Sequence, residues 1–467
     1  MRIRVLGHHF ALSMVVLSTV EALVFFGAVY AAVLARFGVE LSPVDFAGLR
    51  GALWPRALLF SAVMMVCFLA FGLYSLRQRA RLTGIVLRVA VALLVGFVIT
   101  ATLFYLVPVL WMGRGLVALA AIGGLCGVTV SRVVFSRVVD ESLFKRRVLV
   151  YGAGEAAAAV AGLRRRADRR GFILVGFVKA HRAERAVTVD KILDPAGSLV
   201  DLCQKLNVVE VVVAMDDRRS GFPIAELLKC RLAGIDVTEL LTFLERETGR
   251  VRIDVLNPSW MIFGQGFRRD SLRLITARAL DLTACLTVLG LASPLMLLTA
   301  LAIKLEEGWR APVLYRQRRV GFGGRPFTLL KFRSMCIDAE HDGQARWAQK
   351  RDPRITRVGS FVRKTRIDEL PQLLNVLRGD MSVVGPRPER PEFVVELAER
   401  IPYYIERHCV KPGITGWAQL CYPYGSSEND ALEKLQYDLY YIKNNTLLFD
   451  LSILVQTAEV VLMGKGL

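Results

Sequence analysis

The sequence predicts a membrane protein of three parts. These are a transmembrane bundle of four helices over residues 1–139, a central α/β doubly wound, Rossmann-like domain over 145–267, and a C-terminal, mainly helical domain over 269–467. Four long apolar stretches in the first part indicate the bundle. A short apolar strand with a glycine-rich turn opens the second part. Another uncharged run, broken by a proline, opens the third part and predicts a re-entrant membrane helix over 279–304.

The composition places part of the chain in lipid and restricts the partners of the rest. Of 467 residues, 54% are hydrophobic, and the formal net charge is +19. An anionic bilayer face and pyrophosphate substrates would both use this basic excess. The sequence has no zinc-finger, RNP-like or helix-turn-helix signature, so nucleic acid is not an expected partner. None of the eight cysteines has C-x-x-C spacing, so neither a disulfide framework nor a zinc site is indicated.

The four apolar stretches run from Phe10 to Leu34, Ala57 to Leu73, Ile85 to Leu110 and Leu116 to Val130. A membrane helix needs about 20 apolar residues, so the first and third are full spans and the other two are short ones. The first is too long for the apolar region of a cleaved signal peptide, the alternative at that position. Basic residues before the first span and after the fourth predict that both ends of the bundle face the cytosol.

The second part has the pattern of a dinucleotide-binding fold with one element missing. The strand Val148 to Tyr151 runs into Gly152-Ala153-Gly154-Glu155-Ala156-Ala157, a G-x-G-x-x-A turn. The fingerprint also needs an acidic residue at the end of the second strand for the ribose hydroxyls. That strand, Ile173 to Val178, ends in Lys179-Ala180-His181. We therefore expect no bound dinucleotide and a degenerate nucleotide fold used for regulation or for dimerisation, which makes a homodimer one expected assembly.

The uncharged run from Leu282 to Ile303 is long enough for a fifth span, which is the plain alternative. Two observations favour a re-entrant helix instead. Ser293 and Pro294 lie at its middle, where a proline removes a backbone hydrogen bond and bends the helix. A fifth span would also carry the strongly basic region after Lys304 outside, against the positive-inside rule. A helix that enters the inner leaflet, turns at Ser293-Pro294 and returns keeps that region in the cytosol.

The acidic pair Asp368-Glu369 marks the candidate site of the third part. Pro371 is tolerated only in the first turn of a helix, so a helix is predicted to begin near Arg366. Its apolar positions are Ile367, Leu370, Leu374 and Leu377. Both carboxylates would then lie at a helix N-terminus, which favours their ionised form and can hold a phosphate. An ionised Asp can attack phosphorus there, whereas the alternative is an acidic first turn without chemistry.

Six ordered blocks after Arg269 resemble a known family. They are Phe327 to Met335, Asp352 to Gly359, Arg363 to Asn375, Gly379 to Glu389, Lys411 to Trp417 and Tyr437 to Asn444. These blocks look like the bacterial sugar transferases that start lipid-linked glycan assembly, the polyprenyl-phosphate phosphoglycosyltransferases of monotopic type. The four-span bundle and the nucleotide-fold domain resemble the large members of that family. The segments PRPERPEF and YYIKNNTLLFDL are most similar to its exopolysaccharide branch.

The resemblance implies a multi-pass enzyme of the bacterial inner (cytoplasmic) membrane, with a C-terminal catalytic domain on the cytosolic face. The implied reaction transfers a sugar 1-phosphate from a nucleotide diphosphate sugar, expected to be a UDP-hexose, to undecaprenyl phosphate, with release of UMP. By the same analogy Asp368 forms a covalent phosphosugar intermediate, and Glu369 orients it or binds Mg²⁺ with it. The candidate substrate- and phosphate-binding residues are Lys331, Arg333, Arg366, Pro386, Arg387 and Pro388.

Two other functions stay open at this point. A membrane-tethered, NAD-dependent nucleotide-sugar oxidoreductase or epimerase would rest on Gly152 to Ala157. It is weakened by the missing acid and by the absence of a Tyr-x-x-x-Lys pair in this part of the sequence. A non-catalytic scaffold for glycan assembly would leave the acidic pair idle.

Overall fold

The chain folds as two compact units, Met1–Thr248 and Gly249–Leu467. The computed structural model describes residues 2–5, 8–38, 52–74, 82–107, 110–138, 145–163, 168–169, 171–181, 184, 186–194, 197–217, 221–256, 261, 266, 270–336, 354–423, 425 and 427–462.

The first unit begins with an antiparallel strand pair and the predicted membrane helices. The strands are β1 (Arg2–Val5) and β2 (His8–Ala11), and the helices are α1 (Leu12–Phe37), α2 (Trp54–Ala70), α3 (Leu82–Leu106) and α4 (Arg114–Val138). By length and hydropathy α1, α3 and α4 can each cross a membrane, and α2 is a shorter apolar helix of 17 residues. All four contribute to one apolar core, which confirms the predicted bundle.

One ion pair is buried inside this bundle. The carboxylate of Glu21 on α1 accepts a hydrogen bond from Arg132 Nε on α4 at 2.6 Å. It also accepts one from the hydroxyl of Tyr74, which follows α2, at 2.5 Å. Because a charge in the hydrocarbon region is costly unless it is paired, this cluster fixes α1 against α4.

The rest of the first unit is a parallel α/β fold. Strands β3 (Arg146–Tyr151), β4 (Phe172–Val178), β5 (Glu210–Val213) and β6 (Asp236–Glu239) form one sheet in the order β4-β3-β5-β6. The helices are α5 (Glu155–Ala161), α6 (Leu199–Lys205), α7 (Ile224–Leu232) and α8 (Leu240–Thr248). This strand order, with the first strand inside the sheet, is that of the predicted doubly wound fold.

The division between the units lies earlier than the expected domain end at residue 267. Within the second unit, Val251 N donates to the carbonyl of Gln436 at 3.0 Å, and the indole of Trp417 donates to the carbonyl of Gly249 at 2.9 Å. An ion pair joins Arg250 to the carboxylate of Glu433. These contacts attach residues 249–251 to the second unit.

The second unit is mainly helical, as predicted. Its helices are α9 (Ser271–Glu307), α10 (Arg357–Lys364), α11 (Gln372–Arg378), α12 (Pro391–Arg400), α13 (Trp417–Cys421), α14 (Glu428–Asn444) and α15 (Leu447–Leu462). Strands β7 (Leu314–Val320) and β8 (Pro326–Phe332) form an antiparallel hairpin. Strands β9 (Ser382–Val384) and β10 (Gly413–Thr415) pair in parallel.

Helix α9 contains the predicted re-entrant segment and extends beyond both of its expected ends. The helix is continuous through Pro294, and Ser293 Oγ donates to the carbonyl of Gly290 at 3.0 Å. Both halves of α9 nevertheless pack on the rest of the second unit. Cys285 before the proline lies in one apolar cluster with Leu373 of α11, and Ile303 after it lies in another with Val362 of α10.

Candidate active site

The acidic pair lies in a 3-10 turn, Ile367–Glu369, between α10 and α11. The residue before this turn, Arg366, has a left-handed φ of 61°. Helical conformation therefore begins directly after Arg366, near the predicted start, but as a 3-10 turn, and the α-helix α11 begins only at Gln372. Pro371 is the N-terminal cap of α11, a place where its missing N–H costs nothing. Non-glycine residues in this strained conformation often occur in functional turns.

Three positively charged side chains lie around the carboxylate of Glu369. Its Oε1 lies 3.2 Å from Lys331 Nζ, 3.4 Å from Arg387 Nη2 and 3.9 Å from Arg366 Nη1. Burial alone would raise the pKa of Glu369, but these three charges outweigh burial and lower the pKa to about 2. An ionised Glu369 therefore holds three of the predicted phosphate-binding side chains beside the turn.

Asp368 has a different environment. Its side chain is buried, and its Oδ1 has no hydrogen-bond partner. Burial raises the pKa of Asp368 above its ordinary value, and the nearby charge of Lys331 offsets only part of this effect. The sequence predicted that the helix N-terminus favours the ionised form of both carboxylates; for Asp368, which precedes α11, burial outweighs this effect and raises the pKa. Its unpaired oxygen can approach an electrophile without first losing a hydrogen bond.

Strand β8 brings Lys331 to the acidic pair, and Asn375 of α11 holds this strand in place. The Asn375 Oδ1 accepts a hydrogen bond from Leu330 N at 3.0 Å, and its Nδ2 donates to the carbonyl of Thr328 at 2.8 Å. Asn375 is fully buried. Sequence reasoning gave it no role, although it ends the block RKTRIDELPQLLN, because nothing local shows that a polar helix residue faces a strand.

The element Pro386-Arg387-Pro388 is fixed through its carbonyl groups. Its prolines have no N–H, so this part of the backbone forms hydrogen bonds mainly through its carbonyl oxygens. The carbonyl of Pro386 accepts from Gly413 N at 2.9 Å, that of Arg387 from Arg407 Nη2 at 3.1 Å, and that of Pro388 from Arg319 Nη1 at 3.1 Å. Arg387 therefore extends its guanidinium toward Glu369 from a backbone that is held at three successive residues.

Glycines allow β10 to lie against this element. A Cβ on Gly413 would lie 2.1 Å from Gly385 N, and a Cβ on Gly416 would lie 2.2 Å from the carbonyl oxygen of Gly385. No larger residue fits these positions without moving a backbone. The block KPGITGW thus supports the element that carries Arg387.

Two groups of predicted residues lie elsewhere. Arg333 follows β8, and its Nε donates to the carbonyl of Pro312 at 3.0 Å. Ser293 and Pro294 lie within α9. In the described parts of the chain, Lys331, Arg366 and Arg387 form ion pairs with Glu369 of the acidic pair, and Arg333 does not.

In the first unit, the glycine-rich turn is occupied by carboxylates of the same chain. Asp216 accepts hydrogen bonds from Glu155 N at 3.0 Å and from Ala156 N at 2.7 Å. Glu184 accepts one from Ala153 N at 2.8 Å. In a dinucleotide-binding domain, N–H groups at this position hold the pyrophosphate. The sequence pattern did not reveal Glu184, because it lies beyond the strand end where the fingerprint places its acid.

Two family models match parts of the chain. Residues 272–464 match the model for the bacterial sugar transferase family, and residues 69–221 match that for a CoA-binding domain. A UDP-N-acetylgalactosamine-undecaprenyl-phosphate N-acetylgalactosaminephosphotransferase of Aeromonas hydrophila is 44% identical over 251 residues, which are 54% of this chain and 58% of that protein. A UDP-glucose:undecaprenyl-phosphate glucose-1-phosphate transferase of Xanthomonas campestris pv. campestris is 44% identical over 204 residues, which are 43% of this chain and 41% of that protein.

A shorter relative is covered almost completely. The sugar transferase EpsL of Bacillus subtilis (strain 168), described as uncharacterized, is 40% identical over 198 residues, which are 42% of this chain and 91% of that protein. This chain spans only about half the length of the first two relatives, so its similarity to them does not show that it has their whole activity. The family model covers residues 272–464, which lie in the second unit. The chain belongs to the bacterial sugar transferase family.

Proposed function

We propose that this chain transfers a sugar 1-phosphate from a UDP-hexose to undecaprenyl phosphate, releasing UMP, as the first step of exopolysaccharide synthesis. One observation carries the proposal: the buried, unpaired Oδ1 of Asp368 lies beside Glu369, around which three cationic side chains gather. A nucleophile and positive charge for the phosphate oxygens are the two requirements of phosphoryl transfer. The relatives from Aeromonas hydrophila and Xanthomonas campestris are both named as undecaprenyl-phosphate sugar phosphotransferases.

The reaction proceeds in two displacements at one phosphorus atom. A carboxylate oxygen of Asp368 attacks the phosphorus that bears the sugar, and the bond from this phosphorus to the oxygen shared with UMP breaks. UMP leaves with that oxygen and its electron pair. A phosphate oxygen of undecaprenyl phosphate then attacks the same phosphorus and releases the Asp368 carboxylate. The lipid phosphate is already anionic at neutral pH, so the second step needs no general base.

The cations around Glu369 serve the charge that moves in these steps. Lys331, Arg366 and Arg387 all lie within 4 Å of one Glu369 oxygen, so their positive ends converge next to Asp368. Negative charge accumulates on the equatorial phosphate oxygens and on departing UMP, and preorganised cations stabilise it without reorganisation. Glu369 keeps the three side chains from repelling one another before the substrate arrives.

The acidic pair also fits Mg²⁺, which the family resemblance implies. In phosphate-transfer sites Mg²⁺ is held by one or two carboxylates together with substrate phosphate oxygens. Asp368 Oδ1 is buried and unpaired, and the ion pairs of Glu369 use Oε1. Within the described ranges no three His, Cys, Asp or Glu residues cluster as a metal site, so substrate oxygens would complete the coordination. Bound Mg²⁺ would add positive charge at the phosphates.

We also propose that α9 is re-entrant and that the second unit lies on the cytosolic face of the inner membrane. In a straight helix Cys285 and Ile303 would be about 27 Å apart, close to the roughly 30 Å thickness of the hydrocarbon core. Both are nevertheless buried against the same unit. Leu291, Leu297 and Leu298, around the proline, are exposed and suit contact with acyl chains. A spanning α9 would place these two positions at opposite faces of the bilayer, whereas a turn at Ser293-Pro294 would keep both at the face where the second unit lies.

We propose that the parallel α/β domain of the first unit binds no dinucleotide. Asp216 and Glu184 occupy the N–H groups that would hold the pyrophosphate of NAD, NADP or coenzyme A, and like charges repel. Adding any of these to the full-length protein should change neither its melting temperature nor its rate. Ligand at 100 times its dissociation constant would add about 2.7 kcal/mol of stability, so binding would be visible as a thermal shift. A clear shift would contradict the proposal and favour an oxidoreductase or a sensor.

The pH dependence of the transfer reaction should reflect two shifted groups. Asp368 must be ionised to attack, and burial raises its pKa, so the rate should rise with pH at a higher pH than an ordinary aspartate would give. Burial lowers the pKa of Lys331, with Glu369 opposing, so the alkaline loss should begin below the range of an ordinary lysine. Lys331→Arg should move only the alkaline limb of the pH–rate profile, and it should move it to higher pH. An unmoved limb would show that Lys331 does not cause it.

The test of the function is UMP release in detergent from a panel of UDP-sugars, with and without undecaprenyl phosphate. We expect one sugar to support turnover that depends on the lipid, and that sugar to appear in a lipid-linked diphosphate product. Lack of release with every sugar would overturn the proposal. Lipid-independent oxidation or epimerisation of the sugar would point to the alternative enzyme class.

A further inference from the structure

A buried arginine connects the C-terminal part of the second unit to the phosphate-binding element. Arg407 lies in the 3-10 segment Tyr404–Cys409, and its side chain is 6% exposed. One nitrogen, Nη2, donates both to Asp438 Oδ2 at 2.8 Å and to the carbonyl of Arg387 at 3.1 Å. Its Nη1 donates to the Tyr404 hydroxyl at 2.7 Å. The guanidinium is thus held on two sides and presents a donor to Arg387.

Stability alone is a weak reason for such a pair. Asp438 is 2% exposed, and the cost of removing two charges from water is often only offset by their mutual attraction. Apolar residues of similar volume are commonly as stable at such positions. What apolar residues cannot supply is a donor for the Arg387 carbonyl. The planar, always charged guanidinium supplies that donor in a fixed direction.

We propose that Arg407, anchored by Asp438, is a positioning residue that sets the orientation of the Arg387 guanidinium toward the transferred phosphate; the inference rests on the proposed function. Arg387 lies between two prolines, so a shift of its carbonyl rotates the element as a stiff unit. A displacement of about 1 Å at a reacting centre can cost about 100-fold in rate. The effect should fall on kcat more than on KM, because Arg387 binds charge that develops in the transition state.

A double-mutant cycle separates positioning from a general structural role. Single-turnover UMP release is measured for wild type, Arg407→Lys, Arg387→Ala and the double variant, with the sugar found in the panel. Lysine keeps the charge but cannot reach Tyr404, Asp438 and the Arg387 carbonyl together. Arg407→Lys should lower the single-turnover rate constant by about 10- to 100-fold in the wild-type background. In the Arg387→Ala background, where no guanidinium remains to be oriented, it should lower the rate by less than about threefold.

Two further variants keep the test decisive. Tyr404→Phe removes only the Nη1 contact, so it should fold even if Arg407→Lys does not, and should give a smaller loss that also disappears in the Arg387→Ala background. Arg400→Lys is the matched control, because Arg400 is exposed and pairs with Glu396 at 3.1 Å on the surface; its rate should be unchanged.

Three results would overturn the inference. Equal losses in the two backgrounds would make the role of Arg407 structural, and a wild-type rate in both Arg407→Lys and Tyr404→Phe would remove any role. An inactive wild type would overturn the proposed function and the inference together, whereas the first two results leave the function standing.

Discussion

Asp368→Asn should abolish sugar 1-phosphate transfer while the protein remains folded in the membrane. The amide has the shape of the carboxylate but is a poor nucleophile, so both the covalent phosphosugar ester and UMP release should disappear. With wild type and no lipid acceptor, each active site should release one UMP and keep one sugar phosphate. Retention of more than about a tenth of the wild-type rate, which is less than 1.4 kcal/mol of barrier, would exclude the covalent role.

The same substitution should leave the melting temperature unchanged or raise it. The folded-state pKa of Asp368 is raised above its unfolded value by burial, so its contribution to stability is present at low pH and is lost as pH rises through the folded pKa. At neutral pH the ionised side chain therefore costs stability, and a neutral Asn removes that cost. Glu396→Gln, at an exposed carboxylate of the same unit, is the control and should keep full activity. A lower melting temperature for Asp368→Asn would show that the lost rate reflects folding.

The features that depend on local pattern were predictable from the sequence. Apolar length predicted the bundle, because crossing a bilayer sets a minimum length for each helix. The strand before Gly152 and the second strand, Ile173 to Val178, predicted the parallel α/β fold, which the sheet order confirms. The acidic pair and the basic candidates came from the ordered blocks, and the structure joins Lys331, Arg366 and Arg387 to Glu369.

Features that depend on distant contacts were not predictable. The two carboxylates differ because Lys331 of β8 and Arg387, both distant in the chain, form ion pairs with Glu369, whereas Oδ1 of Asp368 has no hydrogen-bond partner. The left-handed conformation of Arg366 has no signal in residue preference, since such a φ disfavours any non-glycine residue. Asn375 and Arg407 each act on a backbone in another element, so their roles appear only after the chain has folded.

Replacing Ser293-Pro294 with Leu-Leu should turn α9 into a spanning helix and eliminate activity. A proline within a helix costs about 3 kcal/mol or more, so its removal favours a straight helix, and each leucine favours insertion by about 0.3–0.6 kcal/mol. If α9 spans the bilayer, one of its halves must leave the second unit. Either Cys285 loses the carbonyl of Leu373 in α11, or Ile303 leaves its cluster with Ile367, which precedes the acidic pair.

The measurement is the membrane side of a reporter fused after Leu467, read by protease access in intact and inverted membrane vesicles, together with UMP release. The wild-type reporter should be cytosolic, and the Leu-Leu variant should place a substantial fraction outside. Ser293→Ala is the matched control, because it removes only the hydroxyl hydrogen bond to the carbonyl of Gly290 and keeps the proline. The membrane side of the reporter and the rate of UMP release should therefore not change. A wild-type reporter outside the cell would mean that α9 spans. The second unit, with the basic side chains that follow Lys304, would then lie on the outer face, away from cytosolic nucleotide sugars.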